Sequence, residues 1–126
     1  MVDRHASQLE VELNPFEIAK RVVEIAEEKQ ASDILILDLR EISNIADFFV
    51  IMTAESQRQM EALAEDIVRS IKKSKKDLYH KEGNTDSGWL LLDYGDVIVH
   101  VFAPKERHYY RLEEFWSDSK EVVRIQ

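Results

Sequence analysis

The stretch Trp89-Leu90-Leu91-Leu92-Asp93-Tyr94-Gly95-Asp96-Val97-Ile98-Val99-His100-Val101-Phe102 decides the fold class. Two apolar runs, Trp89 to Asp93 and Val97 to Phe102, flank a turn at Tyr94-Gly95, the pattern of a β-hairpin. Successive side chains of a strand point to opposite faces. Leu90 and Leu92 therefore share one face, and Trp89, Leu91 and Asp93 the other. A hairpin this apolar needs cover, and the segments around it carry the periodicity that supplies it.

Upstream, Leu78 to Glu82 reads as a further strand and the polar stretch from Gly83 to Gly88 as a loop. Before these, Ser56-Gln57-Arg58-Gln59 is a capping box, and Met60, Leu63, Ala64, Ile67, Val68 and Ile71 follow at helical steps. That helix ends at the cationic run Lys72-Lys73-Ser74-Lys75-Lys76, which complements the negative end of its dipole. Ile34 to Leu39 and Phe48 to Met52 are short apolar runs that read as buried strands. Asn14-Pro15-Phe16-Glu17 opens the first helix with an N-cap, a proline at the first helical position and a glutamate that can reach back; Phe16, Ala19, Val22, Val23 and Ala26 form its apolar stripe to about Gln30. Downstream, Pro104 begins a final helical piece in which Tyr109, Leu112 and Trp116 share a face.

The predicted order of helix, two strands, helix, three strands and helix requires an α/β fold. It implies a single mixed β-sheet of about five strands with two amphipathic helices packed on at least one face. A chain of 126 residues, 44% hydrophobic, fits one such domain, set at residues 14–119, with a mobile leader over 1–13 and a charged tail over 120–126. There is no apolar run long enough to cross a bilayer and no signal-peptide core, and cysteine is absent, so the expected location is the cytoplasm. Seventeen basic against 25 acidic side chains give a net charge of −8. A field of that sign repels phosphate backbones in general and favours a basic protein partner.

Several blocks between Asp33 and Trp116 fall in family-like order. They are Ala46-Asp47-Phe48-Phe49-Val50-Ile51; Thr53 with Ser56 and Arg58-Gln59; Glu82-Gly83; the hairpin with Trp89 and Leu92 to Phe102; and Arg107 with Tyr110, Leu112-Glu113 and Trp116. In these blocks the chain resembles the Iojap family of ribosomal silencing factors. The resemblance implies a nucleotidyltransferase-like fold without that chemistry, and attachment to the large ribosomal subunit through its protein fourteen. It also implies a block on small-subunit joining that represses translation under nutrient limitation, and self-association as a homodimer. No cofactor, small-molecule substrate or membrane enters that picture, and any ribosomal RNA contact is minor. One departure is Ala54, where the family has glycine; a positive φ there would strain an alanine by roughly 1 kcal/mol.

The resemblance, laid on the pleat, selects Trp89, Leu91, His100, Arg107 and Tyr110 as the partner-binding residues. From spacing alone Trp89 fits ordinary core as well as an interface anchor. The interface reading predicts that Trp89→Ala abolishes binding while leaving thermal melting nearly unchanged. His100, mid-strand among apolar neighbours, reads on its own as a satisfied core histidine. Arg107 and Tyr110 fit a surface salt bridge and a packing ring as well as a contact. The lysine tract at 72–76 reads as a solvated helix end, with phosphate contact the sharper alternative.

The rival functional class is an enzyme in which Asp38, Asp93 or Asp96 holds magnesium and a nucleotide. The supporting pattern is thin: three glycines in all, none in a phosphate-cradling run, and Asp93 and Asp96 placed as turn residues. His80 and Glu82, sharing one strand face, are the nearest approach to a metal pair and fall short of a site.

Overall fold

The computed structural model describes residues 13–126, so most of the expected leader lies outside the described residues. The elements are α1 (Pro15–Glu28), β1 (Ser32–Asp38), β2 (Phe48–Thr53), α2 (Gln57–Lys72), β3 (His80–Asn84), β4 (Trp89–Asp93), β5 (Val97–Phe102), α3 (Pro104–Tyr110), α4 (Leu112–Phe115) and β6 (Lys120–Ile125).

The strands form one mixed sheet in the order β3-β4-β5-β2-β1-β6. Only the central β2–β5 pair is parallel; β1–β2, β1–β6, β3–β4 and β4–β5 are antiparallel. The hairpin closes as read, with Trp89 opposite Phe102 and the Tyr94 N–H donating to the Val97 carbonyl at 2.9 Å. Gly95 is required at the turn: its φ is +88°, and an added Cβ would lie 2.6 Å from the Tyr79 ring.

Both long helices start where their capping residues place them. The Asn14 side chain accepts from the Glu17 N–H at 2.8 Å, and the Glu17 carboxylate accepts from the Asn14 N–H at 3.0 Å. At α2 the Ser56 hydroxyl accepts from the Gln59 N–H, but the Gln59 amide reaches past the cap to the Glu55 N–H and donates to the Lys29 and Gln30 carbonyls. That amide ties the start of α2 to the end of α1. The two helices bury Ile18, Val22, Ala26, Met60, Leu63 and Ile67 against one sheet face, where they meet Ile34, Ile36, Val50, Met52, Leu90, Leu92, Val99 and Val101. Ala54 is buried without a positive φ, so the expected strain does not arise.

The C-terminal third departs from the sequence reading in two ways. Arg111 adopts φ 47°, ψ 51°, a left-handed C-cap that breaks the expected single helix into α3 and α4. The break leaves Tyr109 77% exposed while Leu112 and Trp116 pack onto the second sheet face. Beyond it, residues read as a charged tail form β6, a sixth strand on the edge of the sheet. Val123 and Ile125 pack against the helix-side core, and a register shift between Ile36 and Leu37 brings Glu121 and Arg124 within hydrogen-bonding distance at 2.9 and 3.1 Å. The charged residues Lys120, Glu121 and Arg124 on this edge strand interrupt the apolar period that identifies interior strands.

Candidate protein-interaction surface

The sheet has a second face, and the pleat sorts residues onto it. Leu35, Leu37, Phe49, Ile51, Ile98 and Phe102 form its buried floor, with Trp89, Leu91, Leu112 and Trp116 partly buried around them. Among the described residues no long helix covers this side. As the hairpin alternation requires, Trp89 and Leu91 point here and Leu90 and Leu92 into the helix-covered core.

An aromatic cluster occupies the β4–β5 part of this face. The Trp89 ring stacks on Phe102 with centroids 4.9 Å apart and meets Tyr110 at 4.7 Å. The Trp89 indole N–H donates to Nδ1 of His100 at 3.2 Å, and Phe49 meets the His100 ring edge-on at 4.6 Å. An indole nitrogen only donates, so Nδ1 is the acceptor and a neutral His100 carries its proton on Nε2. Burial pushes the His100 pKa down to about 3, so the ring is neutral at pH 7. Its Nε2 is buried without a hydrogen-bond partner.

These positions revise the five-residue set. His100 is 3% exposed and lies beneath Trp89, as the core reading of its setting implies, because β5 sits between two other strands. It orients the indole and does not reach the surface. Arg107 is likewise buried: Nη1 donates to the Asp33 carbonyl at 2.9 Å and to the Thr53 hydroxyl at 2.8 Å, while Nε donates to the Glu113 carboxylate at 3.1 Å. It ties α3 and α4 to the ends of β1 and β2, and is neither the surface salt bridge nor the exposed cation expected.

Trp89, Leu91 and Tyr110 are the three that the structure brings together at the surface. With Glu82, Gly83 and Ser87 they line a hollow of about 250 Å³. Gly83 permits it: φ is +80°, and a Cβ there would stand 2.1 Å from the Trp89 carbonyl oxygen. Tyr110 is 48% exposed. Trp89 is too involved with Phe102, His100 and Tyr110 for its truncation to leave stability unchanged, so the sequence-based expectation for Trp89→Ala is replaced by one on its neighbours. Exposed rings that the sequence reading did not single out are Tyr109 and Phe115, both 77% exposed; the Arg111 break separates Tyr109 from the face it was expected to share with Leu112 and Trp116, and Phe115 lies next to Trp116.

The carboxylates proposed for metal chemistry each have a local partner. Arg40 clamps both oxygens of Asp38 at 3.0 and 2.8 Å and holds that carboxyl below its usual range. Asp93 accepts from the Gly95 N–H at 2.7 Å, a turn contact, and Asp96 lies 3.8 Å from the Lys76 ammonium. His80 and Glu82 meet at 2.9 Å on the exposed edge strand. Among the described residues no group of three or more potential metal ligands is found, and no helix is long and apolar enough to cross a membrane.

Comparison with known proteins agrees with the fold and extends the resemblance. A solved structure of a Chromobacterium violaceum protein superposes with a TM-score of 0.79 at 33% identity, covering 88% of this chain and 94% of that one. A Bacillus subtilis protein named ribosomal silencing factor is 38% identical over 107 residues, which is 85% of this chain and 91% of that protein. A mouse protein named for mitochondrial assembly of the ribosomal large subunit is 30% identical over 76% of this chain and 43% of its own length. The family described as ribosomal silencing factor during starvation matches residues 12–126, β6 included. The chain belongs to that ribosomal silencing factor family.

Proposed function

We propose that this protein acts by occupying a surface and not by catalysis. It docks on the large ribosomal subunit through ribosomal protein fourteen, keeps the small subunit from joining, and so represses translation when nutrients are scarce. The observation that carries the reading is the patch of partly buried Trp89 and Leu91 and half-exposed Tyr110, on the sheet face over which the described residues place no long helix. Aromatic side chains held rigid by a packed floor are the usual anchors of protein interfaces. The net charge of −8 adds long-range attraction toward a basic ribosomal protein. Family membership and the large-subunit role in the mouse relative's name point the same way. Self-association, which the family resemblance implies, would draw on the exposed Tyr109 and Phe115 rings beside this patch.

The test is co-sedimentation with separated ribosomal subunits at low and physiological salt, comparing the native chain with Leu91→Ser and Tyr110→Ala. The native protein should stay on the large subunit alone at physiological salt. Each substitution should weaken binding by about 30-fold, the equivalent of about 2 kcal/mol for an interface anchor. Retention on neither subunit, or binding to both that salt removes equally, would overturn the reading.

A further inference from the structure

We propose that the hairpin-turn end of the molecule is a second contact surface, one that binds RNA: the lysines that close α2 hold phosphates, and Tyr79 offers its ring to a base. The identification of that RNA as ribosomal rests on the docking reading above. Residues 69–81 carry Arg69, Lys72, Lys73, Lys75, Lys76 and Lys81 against the single acid Asp77, in a chain whose net charge is −8. Complementing a helix dipole needs cations only in the last turn, where the effect falls off. Lys75 and Lys76 lie beyond the end of α2.

The tract is an ordered turn. The Lys73, Ser74 and Lys75 N–H groups donate to the Ser70, Ile71 and Lys72 carbonyls, Ser74 is buried, and Lys75 takes φ 61°. Lys72, Lys73 and Lys75 are exposed, while Lys76 leans over the Tyr79 ring at 5.8 Å and also meets Asp96. Tyr79 is an independent observation. It is 69% exposed, yet its N–H donates to the Asp93 carbonyl at 2.9 Å and one side of its ring packs on Gly95. A fixed, exposed aromatic ring beside a cationic turn combines a stacking platform with phosphate attraction. It lies about 17 Å along the hairpin from Trp89, five residues at the strand rise, far enough for both surfaces to be engaged at once.

The experiment measures affinity for isolated large subunits, and separately for deproteinised large-subunit RNA, from 50 to 200 mM salt. It uses the native chain, the triple substitution Lys72→Gln, Lys73→Gln, Lys75→Gln, and Tyr79→Ala with Tyr79→Phe as its control; melting temperatures verify folding. The triple variant should bind subunits about tenfold more weakly at low salt, converging on the native value as salt rises, because each lost phosphate contact lowers the salt slope by roughly 0.7 to 0.9. Tyr79→Ala should weaken binding to both probes about tenfold, and Tyr79→Phe should restore it. If native and triple variant share one affinity and one salt slope on subunits, the RNA surface is overturned while protein docking stands. If the lysines matter on subunits but not on bare RNA, the partner is an acidic protein segment and the proposal falls. Lysine-dependent binding to RNA by a chain that ignores intact subunits would support this surface and sink the docking reading instead.

Discussion

The two faces of the sheet are built differently. On one, two long capped helices lie over aliphatic strand positions, and Ala19, Val22, Leu63, Ile67, Val99 and Val101 are fully buried. On the other, two short helices separated by a left-handed Arg111 cover the floor incompletely, and aromatic and polar side chains join the aliphatic floor: Phe49, Trp89, His100, Phe102, Arg107, Tyr110 and Trp116. Aliphatic packing between helix and sheet stabilises the fold without directional demands. The aromatic face spends part of its surface on rings and donors with fixed geometry, and it leaves some of them in reach of a partner. The helix side should therefore govern stability and the aromatic side recognition.

That contrast can be broken by substitution. The largest effect is expected for Leu63→Ala on the helix side, a loss of about 2–5 kcal/mol in urea unfolding with subunit affinity of the remaining folded protein unchanged. Arg107→Ala should cost about 3 kcal/mol by the same measurement, because it strands the Glu113 carboxylate, the Asp33 carbonyl and the Thr53 hydroxyl; Arg107→Lys should recover only part, lacking the fork. A cost near zero would mean the second face does not depend on this tether.

The next effect is on acid stability. Because burial lowers the His100 pKa from 6.5 to about 3, the unfolded chain takes up this proton first as pH falls. The contribution of neutral His100 is complete above about pH 6.5 and is lost progressively toward pH 3. Between pH 7 and 5 the native chain should lose about 2 kcal/mol more than His100→Gln, measured by denaturant unfolding at each pH. Parallel curves would show that the imidazole titrates freely. The smallest stability effect is expected for Tyr110→Ala, below about 1 kcal/mol, since the ring is half exposed. A large loss there would place Tyr110 in the core and remove it from the interface.

Legibility in the sequence followed the strength of local signals. Both long helices were readable because caps and apolar stripes coincide at Asn14 and Ser56, and the hairpin because Gly95 separates two runs of opposite-face alternation. The pleat also placed Trp89 and Leu91 on the face opposite Leu90 correctly. β6 was not readable, since Lys120-Glu121-Val122-Val123-Arg124-Ile125 has its apolar residues displaced by a register shift that exists only in the pairing with β1. Nor was the helix break, because nothing in Tyr110-Arg111-Leu112 marks a left-handed residue when it is neither glycine nor asparagine. Of the five residues expected at the contact, Trp89, Leu91 and Tyr110 reach the surface; the burial of His100 agrees with the core reading of its apolar strand setting, whereas that of Arg107 comes from Asp33 and Thr53, neighbours distant in sequence.

The sequence by itself determined the α/β class, the two capped helices, the hairpin and the family, because each is written in short-range period or in ordered blocks of residues. The tertiary structure alone decided that Arg107 is a tether, that His100 is held neutral beneath Trp89, and that the chain's end completes the sheet. Those outcomes depend on contacts such as Arg107 with Asp33 and Thr53, separated by 74 and 54 residues. No local propensity encodes a hydrogen bond between groups that meet only after the sheet has closed.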